Sequence, residues 1–135
     1  MSDGTAPAKP NQLGDLQHAI MRELWRAGEA TVSDVHAALY AERQLAPTTI
    51  ATMLKKMEVR GLVRHRTEGR RFVYMPAISE DTVTRSMVND LTQRLFDGSP
   101  SELVSYLLRE HDIDADELAE LNTLIADAEA GEGKQ

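Results

Sequence analysis

Six residues between positions 48 and 60 combine hydroxyls with long cations: Thr48, Thr49, Thr52, Lys55, Lys56 and Arg60. Between them Ile50, Leu54 and Met57 recur at spacings of three and four, with Met53 alongside. That spacing predicts an amphipathic helix. If the apolar set faces inward, the hydroxyls and cations share the outer face. Threonine can hydrogen-bond base edges or phosphates and offer its methyl to thymine, while lysine and arginine neutralise phosphate and can contact guanine. In a helix that enters a major groove, the N-terminal residues usually reach the bases, and here those are Thr48, Thr49 and Thr52. A solvated helix face of no function has a similar composition. The neighbouring arginines weigh against that reading, because Arg64, Arg70 and Arg71 follow closely and could stand beside the same DNA.

The charge balance divides the chain in the same way. It has 135 residues and a net charge of −7, which alone argues against a nucleic-acid partner. Yet residues 1–76 carry a balance of +3 and residues 77–135 a balance of −10. Within 46–76, seven basic residues (Lys55, Lys56, Arg60, Arg64, Arg66, Arg70, Arg71) face only Glu58 and Glu68. A basic cluster inside an acidic chain implies that one part meets a polyanion and the other does not. Two solvated faces of opposite sign would give the same numbers.

The elements that would hold these residues can be read from periodicity and punctuation. Residues 1–12 are small, polar and proline-containing, and read as a disordered arm. Leu13, Leu16, Ile20 and Leu24 mark a first helix that ends near Trp25 before Gly28. Ser33 is placed to cap a second helix reaching about Gln44. Pro47 suits the first position of the third helix, and Gly61 its left-handed terminus. Then 62–66 and 71–75 read as two short strands joined by a polar turn at 67–70, an antiparallel hairpin closed by Pro76. Three helices followed by a basic hairpin predict a winged helix-turn-helix over 13–77.

The remainder, 78–130, reads as helical. Ser79 caps one helix with the stripe Val83, Met87, Leu91 and Leu95. Ser99-Pro100-Ser101-Glu102 is a capping box for a second, bearing Leu103, Val104, Leu107 and Leu108. Asp114 opens a third with Leu118, Leu121 and Ile125, and 131–135 reads as a frayed tail. The expected architecture is therefore mainly α with a small β-hairpin: a winged helix-turn-helix N-terminal domain and a helical C-terminal dimerisation domain. Val83, Met87, Leu91, Leu95, Leu103, Leu107, Leu118, Leu121 and Ile125 are the residues expected at a two-fold contact, since such apolar faces exceed what a small domain can cover alone. Packing back on the N-terminal domain is the alternative.

Taken together, Leu13-Gly14-Asp15-Leu16, then Ile20-Met21-Arg22-Glu23-Leu24-Trp25, then Thr48-Thr49-Ile50-Ala51-Thr52-Met53-Leu54 resemble the penicillinase-repressor (BlaI/MecI type) family. Gly61-Leu62-Val63, Gly69-Arg70 and Tyr74-Met75-Pro76 follow at the family's distances. The resemblance spans roughly 13–130. It implies a homodimeric repressor acting at palindromic operators with TACA/TGTA half-sites, in some members controlling β-lactam resistance. It places the base-reading threonines on Thr49 and Thr52, flanking contacts on Thr48, Lys55, Lys56 and Arg60, and the wing arginine on Arg70. Pro47 departs from the aromatic or polar residue frequent there. In some members a sensor protease cuts an Asn-Phe bond during induction, and Ser105-Tyr106-Leu107-Leu108 lacks that pair.

Other chemistry finds little support. Cysteine is absent, which excludes disulfides, thiolate metal sites and the Cys-rich copper site of some relatives, and agrees with a reducing cytoplasm. Asp112, Asp114 and Asp116 imitate a calcium loop, but its sixth position is Glu117 and its twelfth Thr123, so the acids read as helix caps. No Ser/His/Asp set or glycine-rich phosphate loop appears, so neither enzyme nor cofactor is expected. No run approaches the roughly 18 apolar residues of a membrane span. The competing function is a winged-helix adaptor that docks an acidic protein through its basic wing.

Overall fold

The computed structural model describes Pro10 and residues 13–133. The proposed arm over 1–12 lies outside the described residues apart from Pro10, and so do 134 and 135. The order of elements is α1 (Asp15–Ala27), β1 (Ala30–Thr31), α2 (Val32–Arg43), α3 (Pro47–Val59), β2 (Val63–Glu68), β3 (Arg71–Pro76), α4 (Glu80–Phe96), α5 (Pro100–Glu110) and α6 (Ala115–Gly133). The chain forms two compact units, one running to Leu91 and the other from Thr92, so α4 spans the change. No described helix is long and apolar enough to cross a membrane.

The first unit is a winged helix. Ile20, Met21 and Leu24 of α1, Val35 of α2, Ile50, Leu54 and Met57 of α3, and Leu62, Val63 and Tyr74 of the sheet segment form one buried cluster. Fully enclosing each such side chain contributes about 1.5–3 kcal/mol, which is why the stripes seen in the sequence became these helices. Pro47 sits at the start of α3. Gly61, at φ +80°, turns the chain into β2. Trp25 Nε1 donates to the Ile78 carbonyl at 2.9 Å and fastens the segment after the wing to α1.

Three local readings need correction. The second helix is capped by Thr31, not Ser33: Thr31 Oγ1 accepts from the Asp34 amide at 3.1 Å, while the Asp34 carboxylate accepts from the Thr31 amide at 3.0 Å. The reciprocal pair satisfies two backbone donors, which a Ser33 cap could not do. Thr31 also belongs to a strand that the sequence did not suggest. β1 pairs antiparallel with β3 through Ala30↔Tyr74 and Thr31↔Val73, giving a three-stranded sheet in the order β1-β3-β2. The hairpin itself zips further than expected, to Glu68↔Arg71, and closes through Gly69-Arg70 alone. Gly69 has φ +64°, the sign that a type II′ turn requires at its first central residue.

In the second unit the caps fall where the sequence placed them. Ser99 Oγ accepts from the Glu102 amide at 3.2 Å, and the Asp114 carboxylate from the Glu117 amide at 2.8 Å. The Phe96 and Tyr106 rings meet with centroids 5.7 Å apart, joining the end of α4 to α5. The tail reading at 131–135 was too short a helix: α6 continues to Gly133, carried by the strong helix formers at Ala126, Ala128 and Ala130.

Candidate nucleic-acid interface

α3 presents its sequence in two halves. Ile50, Leu54 and Met57 are buried, which fixes the helix rotation and leaves Thr48, Thr49, Thr52, Lys55 and Lys56 exposed on the outside. The wing rises beside this face. Ala51 and Lys55 of α3, Ser33 at the start of α2, and Arg70, Arg71 and Phe72 of the hairpin line one groove of about 310 Å³. Hydroxyl, ammonium and guanidinium groups thus converge where a polyanionic backbone could lie. Ser33 is the residue the sequence reading misassigned. Once Thr31 and Asp34 satisfy the cap, its hydroxyl is exposed at the groove rim, and the Thr-x-x-Asp spacing was the signal that could have shown it.

The basic residues are not equivalent. Lys55, Lys56, Arg64 and Arg70 are exposed, and among the described residues none has an acidic partner within ion-pair distance. Arg60 is half-buried, and its guanidinium donates to Gln17 Oε1 at 2.9 Å. The same Gln17 oxygen accepts from the Gly14 amide, and its Nε2 lies 3.5 Å from Met53 Sδ, so Arg60 helps clamp α1 to α3. Arg71 lies 3.5 Å from Glu68. Arg66, counted in the basic cluster, is held by Glu29 at 2.7 and 3.0 Å and by Glu68 at 3.0 Å. These bonds push the Arg66 guanidinium above its ordinary range, and the bond from Arg66 holds the Glu29 carboxyl below its own. Asp34 is likewise lowered, first by the Thr31 amide and then by its hydroxyl.

Glu58, at the far end of α3, faces the wing. Both of its carboxylate oxygens lie 2.8 Å from His65 Nδ1. The His65 ring stacks on Phe72 at 4.1 Å and lies 5.5 Å from Tyr74. Tyr74 is buried, and its phenol is held above its ordinary range by that burial first and by the Glu58 charge second.

The residues expected at a two-fold contact are placed unevenly. Val83 is 1% exposed within its own chain, so it offers no surface to a second copy and leaves that set. Met87, Leu103 and Leu121 are half-buried. Leu91, Leu107 and Leu118 are exposed, as are Leu95 at 69% and Ile125 at 56%. The sequence reading passed over Val88 and Leu124, which are exposed as well. Val104, Leu107, Leu108, Ile113 and Leu121 line an open apolar groove of about 360 Å³ between α5 and α6.

Comparison with known proteins agrees with this architecture. The transcriptional regulator BlaI of Mycobacterium tuberculosis is 37% identical over 131 residues, covering 95% of this chain and 93% of that protein. The penicillinase repressor of Bacillus licheniformis is 26% identical over 114 residues, covering 84% and 89%. Among solved structures, a MarR mutant of E. coli is 16% identical with a TM-score of 0.50, covering 88% of this chain and 79% of that one, a likeness of fold alone. A model of the penicillinase repressor family matches residues 13–127, and with relatives of this identity along nearly the whole chain, the protein belongs to that family.

Proposed function

We propose that this chain is a homodimeric, sequence-specific DNA-binding repressor that acts in the cytoplasm at palindromic operators with TACA and TGTA half-sites. The observation that carries the reading is the exposed row Thr48, Thr49, Thr52, Lys55 and Lys56 beside the Arg70 wing, held in one orientation by the buried Ile50, Leu54 and Met57. Thr49 and Thr52 read bases, Thr48, Lys55, Lys56 and Arg64 hold the flanking backbone, and Arg70 and Arg71 contact it from the wing. Arg60, tied to Gln17, contributes chiefly by keeping α1 and α3 together. Occupancy of a promoter suffices for repression, so no catalytic group is required.

Dimerisation is supported by the apolar side chains that α4, α5 and α6 leave exposed, among them Leu91, Leu95, Leu107, Leu118 and Ile125. A two-fold dimer would present two copies of α3 to successive major grooves, about 34 Å apart. The regulated function in this reading is β-lactam resistance or related stress genes, of which the first is supported by the name penicillinase repressor that one relative carries. A sensor protease that ends repression would have to cut elsewhere than an Asn-Phe bond, because Ser105-Tyr106-Leu107-Leu108 has none.

The deciding experiment is genome-wide binding of the purified protein to fragmented DNA of its own organism, repeated with Thr49→Ala/Thr52→Ala. Peaks over one shared palindrome, lost in the variant, are expected and would also name the regulated genes. Featureless binding, or none, would overturn the repressor reading in favour of a docking adaptor.

A further inference from the structure

The distal half of the wing has little backbone support. β1 pairs only with Val73 and Tyr74, so beyond them residues 66–72 are held by the β2–β3 ladder alone. A two-stranded hairpin is marginal in water unless something backs it. Here the backing comes from side chains on both faces of β2, at consecutive positions. On one face His65, across from Tyr74 and stacked on Phe72, bonds the Glu58 carboxylate of α3. On the other, Arg66 bonds Glu29 in the loop before β1. The first of these bonds ties the wing to the helix that carries the threonine row, and Phe72 lies two residues from Arg70.

We infer that Glu58 and His65 are positioning residues, which lock the wing against α3 so that Arg70 and the Thr49/Thr52 face address one duplex in fixed register. The inference rests on the DNA-binding reading above. Neither residue touches DNA; each acts through Arg70. Without the bond the wing keeps its ladder but loses its angle to α3, and Arg70 spends its contact on ordering the hairpin.

The test uses the full chain and two duplexes of equal composition, one a palindrome with TACA and TGTA half-sites and one scrambled, titrated by fluorescence anisotropy. His65→Gln, whose amide stands at the Nε2 position and not at Nδ1, should weaken palindrome binding about tenfold, the scale of one charge-assisted hydrogen bond. His65→Asn puts its amide nitrogen where Nδ1 stands, and should keep most of the affinity although both variants lose the ring. In an Arg70→Ala background the His65→Gln loss should shrink to less than about twofold, because coupled residues are not additive. Glu58→Gln carries the same comparison if His65→Gln fails to fold. A full loss that persists without Arg70, or Asn and Gln variants of equal affinity, would overturn the inference while leaving the DNA reading intact. A wild-type chain that does not distinguish the two duplexes would overturn the DNA reading, and the inference with it.

Discussion

The two compact units handle leucine, isoleucine and valine in opposite ways. In the winged unit, α1, α2 and α3 each place apolar residues at full burial, and the sheet closes over them with Leu62, Val63 and Tyr74. In the second unit α5 buries none of its residues, although its apolar positions are as regular as those of α1. The difference is one of partners. The stripes of α1, α2 and α3 meet one another and the sheet within the first unit. The α5 and α6 stripes face an open groove and water. Amphipathic periodicity therefore predicts that a face will be covered, but not by which molecule.

The comparison can be broken most strongly at the core. Leu54→Ala removes a side chain with no exposure and should cost the winged unit about 2–5 kcal/mol, read by urea denaturation. Leu124→Ala, at a side chain 59% exposed, should leave unfolding of a dilute monomer nearly unchanged. Equal losses at the two positions would abolish the distinction between a closed core and an open one.

Next in size is assembly. Leu107→Asp/Leu118→Asp puts two charges on the open face, and should turn a dimer into a monomer in sedimentation while weakening palindrome binding roughly 100-fold, the benefit of linking two reading heads. A variant that remains dimeric would move the contact elsewhere. Smaller effects sharpen the reading face itself. Thr52→Val should cost about 1–3 kcal/mol at one half-site position while Lys55→Ala weakens all sequences alike, measured by competition with single-base operator variants.

The smallest expected effect follows pH. Glu29 has a lowered pKa in the folded chain, with Arg66 as the cause, so its contribution is present above the ordinary carboxylate range. It is lost as pH falls through the lowered value. Amide exchange at Arg66 and Thr67 should rise there in the native protein, and Glu29→Gln should remove that dependence.

What the sequence disclosed follows from distance along the chain. The three N-terminal helices and the caps at Ser99 and Asp114 depend on neighbours within four residues and were legible. The hairpin was legible from its turn, while its ladder, from Val63↔Pro76 to Glu68↔Arg71, reaches further than the strands read from the sequence. β1 was not, since two residues carry no period and Ala30-Thr31 is defined only by its pairing with Tyr74 and Val73. Val83 looked like Met87 and Leu91 because the stripe does not record that the first unit already covers it. The charge cluster was visible as composition, while its internal pairing was hidden. Glu29 lies 37 residues from Arg66, and Gln17 lies 43 from Arg60.

That pairing bears on how the protein would find a site. Of seven basic residues around α3 and the wing, Arg66 is already held by two carboxylates and Arg60 by an amide. With five cations per subunit left to displace counterions, affinity for random duplex should fall with added salt by a slope of about −4.5 per subunit, where seven would give roughly −6. A gentler grip shortens each stay at a wrong position. Fewer copies are then stranded along the chromosome, and a small pool of repressor can keep its operators filled.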